Sequence, residues 1–310
     1  MGKNEASRHK VRNYGQQVWR QIAPGPIEGE TGVLSQITGA LVRAVLVMVL
    51  VATPSVLLPG MGSDGKQMVA LVALFGGILT FVEYCSTYPG LIEFRDAPPY
   101  NRTRFLMLFL MVFFLSIAAR NDITPSTTGA LVAALAHVMG AALDFPYSPV
   151  RLVTLMLTEG QDPGLVRDVR AAAGAAYMIA LLVLGVFVLV LRLRAWPGSD
   201  RAFNVWVNLP TFDPSAGGDV VARLERDARA NLAMGFLLPF VIPAVMQMGG
   251  MGLGTFNLAA PQTLIWTISA WAFLPASLFM RGIAMGRIAA RIRDRRRQVT
   301  DGVNGGLAPV

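Results

Sequence analysis

The chain has 310 residues, of which 54% are hydrophobic and only 15% are charged, and its mean hydropathy is +0.50. Soluble domains carry about 25% charged residues, so this composition excludes an ordinary water-soluble domain. The net charge of +8 does not indicate nucleic-acid binding, because the cytoplasmic loops of membrane proteins collect basic residues. We therefore predict an all-α integral membrane protein with no sizeable soluble domain and no nucleic-acid partner.

Seven apolar runs follow one another along the chain. They are Thr38–Leu58, Gln67–Tyr88, Phe105–Ala119, Thr128–Leu143, Ala172–Leu193, Leu232–Met248 and Thr263–Met280. Several approach the roughly 20 residues that span a bilayer. A basic tail, residues 1–37, precedes the membrane domain of residues 38–280, and an Arg-rich tail, residues 281–310, follows it.

The basic residues argue against seven crossings. If every run crosses, 12 of the 27 lysines and arginines lie on the cytoplasmic side, whereas 22 do if the fourth run turns back. Since cytoplasmic loops are enriched in these residues, we predict six transmembrane helices plus a re-entrant or tilted helical hairpin. Both termini are then cytoplasmic.

The stretch "DFPYSP" at residues 144–149 is the predicted turn of this hairpin. Pro146 and Pro149 cannot both continue a regular helix. The second arm, Val150–Leu157, reaches only about 12 Å as a helix. The first arm rises about 24 Å, so a short true crossing followed by an interfacial helix is the alternative.

Residues 219–231 show helical amphipathicity before the sixth run. Val221, Leu224 and Ala228 share one face, and charged residues occupy the others. This pattern predicts an interfacial helix along the inner surface of the membrane.

Two ionisable residues lie inside apolar runs, at similar depths near the inner ends of the first two helices. They are Arg43 and Glu83. Charged groups in membrane runs are costly and usually have a partner or face water. We therefore expect either an ion pair that fixes helix packing or a proton or cation site.

The loop of residues 91–104 is the densest polar stretch between runs, and Pro98–Pro99 stiffens it. It is suited to docking a partner or to tying helices together through internal ion pairs. The candidate docking residues are Glu93, Arg95, Asp96, Tyr100, Asn101 and Arg102.

Metal and cofactor chemistry has little support. Cys85 is the only cysteine, and His9 and His137 are the only histidines. We predict no metal site and no cofactor, with one open alternative: His137 as a lone axial ligand to a pigment or haem. The ordinary interpretation is a histidine that donates one packing hydrogen bond.

The C-terminal arginines are expected to contact anionic lipid headgroups. They are Arg291, Arg293, Arg295, Arg296 and Arg297.

The sequence favours a non-catalytic accessory, scaffold or assembly subunit of a larger membrane complex, with other membrane subunits or further copies as partners. The alternative is a small transporter or channel that uses Glu83 and the hairpin. An enzyme acting on lipid ranks third, because no clustered polar site can be assembled. Only 3 of the 27 basic residues are lysines, which we interpret as bacterial codon bias and hence an inner-membrane location.

Overall fold

A computed structural model describes residues 30–95, 98–157, 162–194, 196–197, 208–212, 218–248 and 258–305. Of these residues, 83% are helical and none forms a strand, so the predicted all-α architecture is confirmed. The helices are α1 Glu30–Leu57, α2 Ser63–Cys85, α3 Tyr100–Ile123, α4 Thr127–Leu143, α5 Pro149–Leu155, α6 Pro163–Leu193, α7 Val220–Met248 and α8 Pro261–Gly305.

Six of these helices are long and apolar enough to cross a membrane: α1, α2, α3, α6, α7 and α8. Helices α3, α6, α7 and α8 form the centre, with α8 in contact with the other three. The α1–α2 pair lies at one side, where α1 contacts α3. Most bulky side chains of α2 are exposed, as expected for a lipid-facing helix.

The helix ends form two faces. The hairpin face carries the α1–α2 and α3–α4 connections, the end of α7 and the start of α8, together with α4 and α5; Gln262 at the start of α8 lies 3.7 Å from the Met61 sulfur there. The arginine face carries the ends of α2 and α6, the starts of α3 and α7, and the C-terminal part of α8. With six crossings, Glu30 and Gly305 lie on this same face.

The α4–α5 hairpin remains on the hairpin face and does not cross to the arginine face. Helix α4 begins beside Asn121 at the end of α3, and Ser126 caps it by accepting from the Gly129 N–H. It ends at Asp144, whose buried carboxylate pairs with Arg151 at 3.4 Å and Arg170 at 3.6 Å. Since Arg170 lies about 35 Å along α6 from its far end at 1.5 Å per residue, the turn is a membrane thickness away from the arginine face.

Two glycines bring α4 against α6. A Cβ atom on Gly174 would lie 2.4 Å from the Gly140 Cα, and a Cβ on Gly140 would lie 2.8 Å from the Arg170 carbonyl oxygen. Only glycine permits this distance between backbones, in the way that small residues permit close packing of membrane helices. The short α5 then leads towards α7, where the Gln247 side chain donates to the Leu155 carbonyl.

The predicted amphipathic segment is continuous with α7. Val221, Leu224 and Ala228 are buried as the apolar face of its first turns, and this face packs on α8 near Gly282. The predicted C-terminal tail likewise continues α8 as far as Gly305. Residues 1–29 of the predicted N-terminal tail lie outside the described residues.

Candidate functional site

The arginine face is organised around a bidentate ion pair that joins the α2–α3 loop to α8. Arg281 donates from Nε to Glu93 Oε2 at 2.6 Å and from Nη2 to Glu93 Oε1 at 2.8 Å. Thr211 donates to the same Oε1 at 2.8 Å. The Glu93 side chain is only 12% exposed, so this geometry links three segments in a partly desolvated setting.

The residue after Glu93 fixes the loop to the protein interior. Phe94 is 1% exposed, and its ring centroid lies 4.3 Å from that of Tyr100 and 6.3 Å from that of Trp196. Its backbone N–H donates to the Asn208 carbonyl at 2.7 Å. Its φ of 53° is rare for a bulky side chain, which fits a residue held in place by its neighbours.

Glu83 binds the start of the same loop. Its carboxylate accepts hydrogen bonds from the backbone N–H groups of Gly90, Leu91 and Ile92, with distances of 3.0, 2.9 and 3.2 Å to Oε2. Three converging N–H groups are a good partner for one carboxylate. Glu83 therefore acts as an anchor for the start of the loop.

The predicted pairing of Glu83 with Arg43 is not formed within the described part of the chain. Arg43 donates to the Gly39 carbonyl at 2.6 Å, and its guanidinium lies 4.5 Å from the centre of the Tyr84 ring. The two side chains diverge because the loop N–H groups draw the carboxylate past the end of α2, whereas Arg43 stacks on the neighbouring tyrosine.

Most of the candidate docking residues face inwards. Asn101 donates to the Glu93 carbonyl at 2.7 Å, Arg95 donates to the Ser86 carbonyl, and Tyr100 is 1% exposed. Arg102 is exposed, and Asp96 lies outside the described residues. This arrangement matches the alternative interpretation of the loop, in which internal contacts tie helices together.

Further arginines of α8 make contacts along the same helix. Arg287 donates to the Leu191 carbonyl near the end of α6 at 3.0 Å, and the same carbonyl accepts from the Trp196 N–H at 3.1 Å. Arg293 pairs with Glu225, and Arg296 donates to Asp219 at 2.6 Å. The hydrogen bond from Arg296 lowers the pKa of the Asp219 carboxyl below its ordinary value.

These roles of α8 were not predicted from the sequence. There the basic C-terminal tail served only as a topology signal, and Arg293 and Arg296 were expected to contact lipid headgroups. Of the predicted lipid-contacting set, Arg295 and Arg297 are exposed and Arg291 is half-buried. The acidic residues of segments 91–104 and 219–231 were the available signal, but pairing them with particular arginines requires the helix packing.

A pocket of about 260 Å³ opens near the hairpin face between α3, α4, α6 and α8. His137 lines it together with Asp122 and Asp168, and Asp168 is close enough to both for their charges to interact. In the described residues no three histidine, cysteine or acidic side chains are grouped to hold a metal ion. The volume is below the roughly 300–1,000 Å³ of pockets for drug-sized ligands, so a small molecule fits it better than a macrocyclic pigment.

No family model, curated protein or solved structure matches this chain.

Proposed function

We propose that this protein is a non-catalytic accessory, scaffold or assembly subunit of a larger membrane complex, and that it holds its partner through a rigid two-helix extension. We call this extension the stalk. It consists of residues 219–231, at the start of α7, and residues 282–298 of α8. The observation that supports the proposal is the set of ion pairs and buried contacts that hold these two helices together on the arginine face.

The outer part of the stalk reaches beyond the buried core. In α8 the last buried core residue is Ala289, and residues 290–298 carry five arginines, which favours a position outside the hydrocarbon core. At 1.5 Å per residue these nine residues extend about 14 Å. Buried Leu224 and Ala228 seal the contact between the helices, and the pairs Arg293–Glu225 and Arg296–Asp219 brace it.

The outward surface of the stalk is basic. Arg226 has a side chain that is 72% exposed, and Arg229, Arg295 and Arg297 are also exposed. A partner with an acidic surface would complement it, whether another subunit or a second copy of the chain.

The cytoplasmic side of a bacterial inner membrane is the setting that we propose for the arginine face. Positive-inside charge supports this orientation, and the scarcity of lysine supports a bacterial source. The same basic surface would contact anionic headgroups where the stalk meets the membrane.

A binding assay on the whole complex tests the scaffold role. The protein is purified in mild detergent from its native membrane, as wild type and as the Arg229→Gln/Arg295→Gln variant, and the mass of each particle is measured. We expect stoichiometric partner subunits with the wild type and their loss from the variant, with unchanged thermal stability of the chain. Arg194→Gln is the matched control, because Arg194 is an exposed arginine at the end of α6 on the same face, outside the stalk.

A wild-type chain that emerges from its native membrane alone, at the mass of one copy, would contradict the proposal. So would partner loss in Arg194→Gln equal to that in the stalk variant.

The transporter alternative keeps the support of the hairpin and its pocket. Glu83, however, is engaged by three backbone N–H groups, and α7 runs continuously through Pro239 and Pro243 instead of breaking. Glu83→Gln separates the two roles in proteoliposomes. A carboxylate that carries protons or cations predicts lost flux in a stable protein, whereas an anchor predicts lowered stability and no flux to lose.

A further inference from the structure

We propose that the pocket near the hairpin face binds a small organic cation that carries an apolar group. This site is independent of the stalk and lies at the opposite end of the bundle. It brings together the end of α3, the middle of α4 and the starts of α6 and α8.

The polar groups of the pocket set the charge of its ligand. Asp122 is exposed and has no hydrogen bond or ion pair with any described residue, whereas Asp168 has Arg167 at 3.7 Å on its own helix. Asp122, Asp168 and Arg167 together leave one net negative charge. A monocation balances that charge, and an anion is repelled by both carboxylates.

The walls of the pocket set the shape of the ligand. Phe114, Leu115, Leu165, Leu264 and Ile265 supply apolar surface, and alanines of α3, α4 and α6 leave the space open. An apolar wall with a few convergent polar groups is the usual construction of a small-ligand site. A metal ion does not use such walls, whereas a ring or short alkyl group attached to an ammonium does.

The ammonium could come from a dissolved amine or from the ethanolamine headgroup of a lipid, since the pocket lies near the membrane boundary. The chemistry is the same in both cases: an ammonium beside Asp122 and Asp168. The composition of the surrounding lipid separates the two sources.

The test uses the full chain in nanodiscs of phosphatidylglycerol and benzylammonium as the probe, with isothermal titration calorimetry and empty nanodiscs as the blank. We expect saturable binding of one benzylammonium per chain. Affinity should fall at least tenfold in Asp168→Asn and in Asp122→Asn. Benzyl alcohol, which has the same ring without the charge, should bind at least tenfold more weakly than benzylammonium.

Two further variants keep the result interpretable. Ala133→Leu fills the pocket from a half-buried position of α4 and should abolish binding without removing a charge. Asp64→Asn changes an exposed carboxylate of the same face that lies outside the pocket and should leave the affinity unchanged. Each variant is first shown to melt at the wild-type temperature or within a few degrees of it.

Repeating the titration with added phosphatidylethanolamine identifies the source. A weaker apparent affinity for benzylammonium indicates competition by the lipid headgroup, and an unchanged affinity indicates a dissolved cation. The proposal is overturned if wild-type binding does not exceed the blank. It is also overturned if benzyl alcohol binds as tightly as benzylammonium, or if folded Asp122→Asn and Ala133→Leu bind like the wild type.

Discussion

The two faces of the helical bundle use their charged residues in different ways. On the arginine face, Arg281, Arg287, Arg293 and Arg296 each bind a named group on another segment. On the hairpin face, Asp144 is paired, but Asp122 and Asp168 line an open pocket. Charged residues at one end of the bundle therefore mainly join segments, whereas two carboxylates at the other end line a cavity.

The difference follows from where the chain needs to be held. The α2–α3 loop and segment 208–212 have little helix of their own, so the ion pair of Glu93 with Arg281 and the hydrogen bond from Thr211 to Glu93 link them to α8. The hairpin is held by the close backbone contact of Gly140 with Gly174 and by the pairing of Asp144 with Arg170. Neither contact uses Asp122 or Asp168, which line the pocket.

The largest expected effect is on the arginine face. Glu93→Gln or Arg281→Gln leaves one partly buried charge without its partner, and we expect each to lower the free energy of unfolding by about 3 kcal/mol. The double variant should lose clearly less than the sum of the two. Unfolding in mixed dodecyl sulfate micelles measures all three.

The control for that cycle is Arg226→Gln. Arg226 is 72% exposed and lies 3.8 Å from Asp227, so its loss should change the free energy of unfolding by less than about 0.5 kcal/mol. Additive effects of Glu93→Gln and Arg281→Gln would show that the pair does not join the two segments.

A smaller effect is expected where glycine holds the hairpin. Gly174→Ala places a methyl group against the Gly140 backbone, and such overpacking should cost about 2 kcal/mol. The measurement is the same micelle titration. Gly185→Ala on the same helix is the matched control, because a Cβ there meets nothing within 4 Å; it should be neutral or stabilising by up to about 1 kcal/mol. Equal losses in both variants would contradict the close α4–α6 contact.

The all-α class and the number of crossings could be predicted from sequence because each depends on local composition. The length of each apolar run predicts whether it can span the membrane, and the distribution of arginines among the loops predicts how many runs cross. The hairpin turn was also readable, since Pro146, Pro149 and the capping Ser148 act on their own immediate backbone.

The partners of individual charged residues could not be predicted in this way. Glu83 and Arg43 were predicted to lie at similar depths in the membrane, but depth does not determine the direction of a side chain. The backbone N–H groups that bind Glu83 converge on its carboxylate only once residues 90–92 have folded. The same limit applies to Glu93 and Arg281, which are 188 residues apart. The grouping of Asp122, His137 and Asp168 likewise depends on how α4 crosses α6.

The smallest effect concerns pH at the stalk. Because Arg296 lowers the pKa of Asp219, the carboxylate contributes stability at neutral pH that is lost as pH falls through the lowered pKa. The melting temperature of the wild type should therefore fall slightly more than that of Asp219→Asn as pH falls from neutral to below about 4. Identical acid sensitivity of the two proteins would show that the Asp219–Arg296 contact does not brace the stalk in solution.

The account depends most on the hairpin remaining at the face opposite the arginines, and cysteine labelling in sealed membrane vesicles tests this directly. Single cysteines are introduced at Tyr147, Asp64 and Arg102 in a Cys85→Ser background and exposed to a membrane-impermeant maleimide. Tyr147 is 88% exposed at the turn, Asp64 marks the hairpin face, and Arg102 marks the arginine face. We predict that Tyr147→Cys and Asp64→Cys are labelled from the same side and Arg102→Cys from the other. Labelling of Tyr147→Cys from the side of Arg102→Cys would mean that the fourth apolar run crosses the membrane, and it would contradict the account.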